Sequence, residues 1–222
     1  MSIKISIQQL LPYDIGILWA IGSIIDQNRM SFRCKDKYFL ERLSLYFNNK
    51  IYTQQIKNKT QYVLKTSNVD LQSLYSMGWT ERNSNIRDIP ILNNNDYKNF
   101  LRSYIEIHST LDYSTRYRRD GSKYKSLRLR IYGNCILIDS INKLLNKNAN
   151  TNIKSIQMLK NNKTSILYYS SILEIQNIYT YIFDASYYDK YWNNINYKLQ
   201  NPTKEYEWLN HQYKIVIITI TI

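Results

Sequence analysis

The sequence predicts an α+β fold in which one unit is used twice, and two observations carry that reading. A stretch beginning at Asn58-Lys59-Thr60, NKTQYVLKTSNVDLQSLYSMG, returns about 104 residues later as NKTSILYYSSILEIQNIYTYI from Asn162. Each copy is preceded by the same succession of amphipathic helical and alternating extended segments. The 222 residues, 44% of them hydrophobic, are enough to bury a core without disulfide or metal staples.

Taken in order, Pro12 and Asp14 introduce an apolar helix over residues 15–26. A strand over 31–34 leads to a helix over 37–47, whose apolar residues Phe39, Leu40, Leu43 and Phe47 share one face. Two strands joined by a short Lys/Asn turn follow as a hairpin, the first over 51–57 and the second carrying Tyr62, Val63 and Leu64. Ser67 then caps a helix containing Leu71, Leu74 and Tyr75. Residues 79–92, with Pro90, read as a linker.

The second copy opens with a helix over 96–108 after the turn Asn93-Asn94-Asn95. Strands over 111–119 and 127–132, joined at Asp120-Gly121, make a long hairpin that the first copy lacks. A helix over 134–145 carries Ile138, Ile141, Leu144 and Leu145, and a strand over 152–160 precedes the repeated segment. There Ile166, Leu167 and Tyr168 correspond to Tyr62, Val63 and Leu64, and Ser171, Ile175, Ile178 and Tyr179 to Ser67, Leu71, Leu74 and Tyr75. The organisation is a first unit over 1–78 with a shortened first hairpin, a linker over 79–92, a second unit over 93–200, and a tail over 201–222. The tail ends in IVIITITI, a strand that needs a partner because an unpaired apolar edge aggregates.

The formal net charge of +13 rests on a globular composition, so it points to a polyanionic partner. Nucleic acid is favoured over an anionic membrane surface, since no apolar run approaches the roughly 20 residues of a spanning helix. Cys34 and Cys135 match no zinc-ligand spacing and read as reduced thiols. The first residues have too few positive charges and too short an apolar stretch for a secretory signal. The expected location is intracellular, cytoplasmic or organellar.

Two segments carry a resemblance to a known family. Leu18-Trp19-Ala20-Ile21-Gly22-Ser23-Ile24-Ile25-Asp26-Gln27-Asn28 resembles the motif LAxLIGxIxxDG, and Phe100-Leu101-Arg102-Ser103-Tyr104-Ile105-Glu106-Ile107-His108-Ser109 resembles FLRGYxxxDG. Both belong to the LAGLIDADG homing endonucleases in their single-chain, two-repeat form, and the resemblance covers about residues 14–198. It implies two αββαββα repeats in a pseudo-twofold arrangement, with antiparallel sheets forming a DNA-binding saddle, and a link to intron or intein mobility. It also implies that Gly22 and Ser103 are the small residues where two central helices touch.

In the family an acid at the end of each such helix holds the divalent cation for phosphodiester cleavage. Here the acid positions read Gln27 and His108, and the following glycines read Asn28 and Ser109. A neutral amide and an imidazole are poor ligands for a hard cation. The flanking acids Asp26 and Glu106 are turned away by helical steps of about 100 or 200 degrees per one or two residues. The expectation is a DNA-binding protein with cleavage lost or impaired and no metal, Mg²⁺ being relevant only if cleavage persists.

The resemblance assigns DNA contacts to Arg29, Arg33, Lys35, Gln54, Lys57 and Lys59 in the first unit. In the second it assigns them to Arg116, Arg118, Arg119, Lys123, Lys125, Arg128, Arg130, Lys160 and Lys163. Strand alternation by itself puts Arg116 with Arg118, and Arg128 with Arg130, on common faces. Double-stranded DNA is the expected partner of a monomer with internal pseudo-dimer symmetry. The alternatives are an active endonuclease with an atypical metal site, an RNA-binding intron maturase, or a structural subunit of a larger assembly.

Overall fold

The computed structural model of the chain describes residues 4–26, 29–81, 84–159, 164–183 and 198. Pro12 occupies the first turn of helix α1 (Pro12–Ile21), and every residue from Tyr13 to Ile21 is buried. A helix that is apolar on all sides belongs inside a core. It ends five residues earlier than the sequence reading put it, because Gly22 turns extended and opens strand β1 (Gly22–Asp26). The β-branched pair Ile24-Ile25 favours that conformation. Strand β1 pairs antiparallel with β2 (Arg29–Cys34), so the first unit does have a first hairpin, shorter than that of the second.

Helix α2 (Lys37–Phe47) is capped by the Asp36 carboxylate, which accepts from Tyr38 N, and stops at Asn48 in the left-handed region. Strands β3 (Ile51–Ile56) and β4 (Lys59–Thr66) meet at Lys57 and Asn58, whose φ values of 47 and 61 are those of a two-residue hairpin turn. Helix α3 (Leu71–Ser76) is capped by Asp70, not by Ser67 as the sequence match suggested. The Asp70 carboxylate accepts from Gln72 N.

The second unit repeats the order with α4 (Tyr97–His108), β5 (Ser109–Tyr117), β6 (Lys123–Gly133), α5 (Cys135–Ala149), β7 (Gln157–Met158), β8 (Ser165–Tyr169) and α6 (Ile172–Ile182). Asn134 caps α5 and Ser171 caps α6. The strand expected over 152–160 shrinks to two residues in its described part, and the cause is local. Asn152 N donates to Glu174 Oε1 and Lys154 N to Asn142 Oδ1, so side chains take the amides that a longer ladder would need. The tail over 201–222 lies outside the described residues.

The two sheets have the same topology, β1-β2-β4-β3 and β5-β6-β8-β7. Phe32 faces Leu64 in the first and Ile131 faces Leu167 in the second, all four side chains fully buried. Leu64 therefore corresponds to Leu167 and not to Tyr168, one residue off the sequence match. In a strand a slip of one residue exchanges the two faces. The helices cover one face of each sheet with a continuous core that includes Ile17, Leu43, Phe100 and Ile141, and leave the other face open. Two links fasten the central helices in place. Buried Asp14 of α1 accepts two hydrogen bonds from Arg42 of α2, at 2.7 and 3.0 Å, and Arg102 Nε of α4 donates to the Ile182 carbonyl at the end of α6.

The segment read as a linker is packed at its start. Trp79 meets Trp19 edge to face at 4.9 Å, and Arg87 lies 4.1 Å over the Trp79 ring while donating to the Trp19 carbonyl at 2.6 Å. Among the described residues no helix is long and apolar enough to cross a membrane.

Candidate nucleic-acid interface

The centre of the molecule is the line where α1 and α4 touch. A Cβ built on Gly16 would stand 2.5 Å from the Phe100 carbonyl oxygen and would overlap Ser103 Oγ, so the backbones approach as closely as glycine allows. Ser103 Oγ, fully buried, donates to the Tyr13 carbonyl at 2.6 Å. Ser103 thus lies at the helix contact, but its counterpart is Gly16. Gly22, the expected counterpart, instead packs beneath Trp79 and Phe32 where the helix has already ended.

That registration moves the first acid position. If Gly16 matches Ser103, the residue matching His108 is Ile21, and both are the last residues of their helices. Gln27 lies outside the described residues. His108 Nε2 sits 2.8 Å from the Ala20 carbonyl. Because a carbonyl only accepts, that nitrogen is the protonated one. Of the flanking acids, Glu106 is buried and accepts a hydrogen bond from the Tyr13 hydroxyl across the helix contact. Burial, and then the Glu106 charge, push the Tyr13 phenol well above its ordinary value. Asp26 accepts from Arg29 Nε at 2.7 Å on the hairpin of the first unit.

A cleft of about 870 Å³ opens at the ends of the two central helices, with Ile21 and His108 both in its wall. Ser23, Ser31 and Arg33 reach it from the open face of the first sheet, and Tyr132 from that of the second. Its only carboxylate among the described lining residues is Glu81. No group of three or more His, Cys, Asp or Glu suited to a metal ion occurs among the described residues.

The register places the remaining candidates. On the second sheet Arg116, Arg128 and Arg130 share the open face with Asp112, Tyr124 and Tyr168. Arg128 Nε and NH2 donate to the Asp112 carboxylate at 2.5 and 3.2 Å, and Arg130 NH2 donates to it at 2.6 Å. The hydrogen bond from Arg128, followed by the Arg130 charge, holds the Asp112 carboxyl below the usual carboxylate range. Arg116 donates to the Tyr168 hydroxyl at 2.9 Å. Burial pushes that phenol up, yet the bond from Arg116 and the neighbouring guanidinium charges bring it below its ordinary value. Arg118 lies 5.3 Å over the Tyr124 ring, and Arg119 is exposed in the turn.

Lys123 and Lys125 alternate to the opposite face of β6, with Lys123 5.7 Å over the ring of Tyr117. The alternation that groups the arginines therefore separates these two lysines from them. On the first sheet the open face carries Arg29, Arg33, Gln54 and Lys59, together with Gln61 and Lys65. Lys35 is exposed past the end of β2, and Lys57 is exposed in the hairpin turn. Lys160 and Lys163 lie outside the described residues.

Residues that the sequence reading missed are Gly16, Ile21, Lys65, Asp112 and Tyr168. A usable signal existed for Ile21. Gly22-Ser23-Ile24-Ile25 followed by Asp26-Gln27-Asn28 is a glycine stop, a β-branched pair and a turn, which marks the helix end at Ile21.

No protein-family model matches the sequence, and no curated protein matches it. Solved structures do share its architecture. The LAGLIDADG homing endonuclease I-LtrWI bound to target DNA superposes with a TM-score of 0.58 at 16% identity, covering 92% of this chain and 96% of that one. I-SmaMI bound to an uncleaved DNA target in the presence of calcium ions gives 0.58 at 13% identity, covering 93% and 98%. The N-terminal LAGLIDADG domain of DUF199/WhiA gives 0.51 at 16% identity, covering 78% and 80%. With its duplicated sheets and paired central helices, this chain has the two-repeat fold of the LAGLIDADG homing endonucleases.

Proposed function

We propose that the chain binds double-stranded DNA across the two open sheet faces and does not cleave it through a divalent metal ion. One observation carries the binding half of the reading. Internal duplication gives two helix-free sheet faces that meet at one cleft, and these faces hold Arg29, Arg33, Lys65, Arg116, Arg128 and Arg130. Antiparallel hairpins of such sheets fit the major groove, and their cations meet phosphates and base edges.

The residues at the helix ends do not fit the cation that the resemblance implies. A hard divalent ion wants several carboxylate oxygens. Ile21 offers no donor atom, and the His108 imidazole faces the Ala20 carbonyl. The Glu106 carboxylate is buried against the Tyr13 hydroxyl, which leaves Glu81 as a single acid in the described wall of the cleft.

The test is a plasmid-library cleavage assay in Mg²⁺ and in Mn²⁺, run beside a duplex-binding assay with a single-stranded RNA competitor. Binding to duplex without nicking supports the reading. Metal-dependent nicking that survives purification, or preferential binding of RNA, refutes it.

A further inference from the structure

The open faces carry the same device twice, at corresponding places in the two units. In β5 and β6, Asp112 is the cross-strand partner of Arg128, and in β1 and β2, Asp26 is the cross-strand partner of Arg29. Each aspartate holds its arginine through Nε and NH2. Asp26 does so within 2.7 Å, and Asp112 at 2.5 and 3.2 Å while also taking Arg130. The sequence resemblance placed Asp26 beside a metal site; the structure makes it the counterpart of Asp112.

Such an arrangement suits a base pair better than a phosphate. A guanidinium gripped along its Nε and NH2 edge is fixed in rotamer and keeps its outer donors. Those donors match O6 and N7 of guanine, the acceptor pair that arginine contacts bidentately in the major groove. The aspartate beside it repels phosphate oxygens but keeps acceptor capacity for the N4 amino group of cytosine. Donor and acceptor together are complementary to one G·C pair. Both Asp–Arg pairs lie four to five residues past the end of a central helix, at Ile21 and at His108. At about 3.3 Å per residue that is roughly 13–17 Å, or about four to five base pairs, from the helix contact.

We infer that the target duplex carries a G·C pair in each half-site, at positions related by the internal pseudo-dyad, read by Arg29 with Asp26 on one side and by Arg128 with Asp112 on the other. This rests on the duplex-DNA reading of the same surface and adds the base identity.

The experiment is in vitro selection of the full chain from a randomised duplex pool, followed by affinity and salt-dependence measurements on the winning site. Selected sites are expected to fix guanine at two positions symmetric about the centre. Arg128→Lys keeps the charge, so it should leave the salt dependence unchanged while cutting the preference for guanine at one position by roughly tenfold or more. Arg29→Lys, at an exposed position, should do the same at the other. Tight, salt-dependent binding to sites without the symmetric guanines would overturn this inference and leave the duplex reading standing. Failure to enrich any duplex would overturn both.

Discussion

Gly16→Ala is the substitution whose outcome the helix contact fixes most tightly. In an ordinary helix this change is favourable by up to about 1 kcal/mol, because alanine loses less backbone entropy. Here the new methyl would stand 2.5 Å from the Phe100 carbonyl oxygen, where real Cβ contacts stay above 3.0 Å, so the backbones of α1 and α4 must part by at least about 0.5 Å. Overpacking of a dense core costs roughly 1–3 kcal/mol. Separation also strains the buried Ser103–Tyr13 hydrogen bond, worth about 1 kcal/mol. Less the helical gain, the net loss of about 1–4 kcal/mol corresponds to a fall in Tm of about 2–16 °C for a chain of this length. Calorimetry or thermal circular dichroism reads it directly. Adding Ser103→Gly should recover only part of the loss, since the Phe100 carbonyl remains in the way. A Tm that holds or rises in Gly16→Ala refutes the close contact and with it the pairing of the two motifs.

Three further outcomes can be measured. Tyr13→Phe removes the hydroxyl on which the buried Glu106 carboxylate rests, and denaturant titration should show a loss of about 1–3 kcal/mol. Because burial and Glu106 raise the Tyr13 phenol above its ordinary value of 10.0, its contribution is complete below that pH and is lost above it, where the unfolded chain ionises first. Tyr13→Phe should therefore lessen the decline of stability above pH 10, and an identical alkaline decline would contradict the coupling. Asp112→Asn releases Arg128 and Arg130 and adds one net positive charge to the second sheet, so binding to arbitrary duplexes should tighten and the salt slope should steepen by up to about 1; weaker non-specific binding would count against it. Finally, the double change Ile21→Asp with His108→Asp should give a chain whose Tm rises on adding Mn²⁺, whereas the unaltered chain should show no such rise. Equal responses would place the ion elsewhere.

The fold was legible because its strongest signals are local. The apolar stripe Phe39, Leu40, Leu43 and Phe47 marks α2 to its last residue, the Lys57-Asn58 turn marks a hairpin, and Ser171 marks the start of α6. The duplication was legible from the NKT repeat, though with strands displaced by one residue, because the segments between strand and helix differ in length. Similar side chains in α3 and α6 then pulled the match off register.

The site was less legible. Gly22-Ser23-Ile24-Ile25 continues the apolar run of α1, which masks the glycine stop and the β-branched pair, and pairing with β2 completes the strand. Composition cannot show that Gly16, and not Gly22, meets Ser103, since either small residue satisfies a motif. The role of Asp112 depends on cross-strand register, which pairs it with Arg128 across a hairpin whose length the sequence gives only approximately. The burial of Arg87 between two tryptophans had no sequence signal, because isolated charges in a linker are ordinarily solvated.

Fluorescence-anisotropy titration of the unaltered chain against a duplex, repeated from 50 to 300 mM salt, puts the proposed role of the open faces at greatest risk. Eight cations lie on those faces, and five of them, Arg33, Lys59, Lys65, Arg116 and Arg118, stand outside the Asp–Arg pairs and are available to phosphates. With five or more engaged, log affinity should fall against log salt with a slope of about −4.5 or steeper, and Arg33→Ala with Lys65→Ala should lower its magnitude by about 2. A flat response, or a slope that the two substitutions leave untouched, would mean that these faces do not hold nucleic acid.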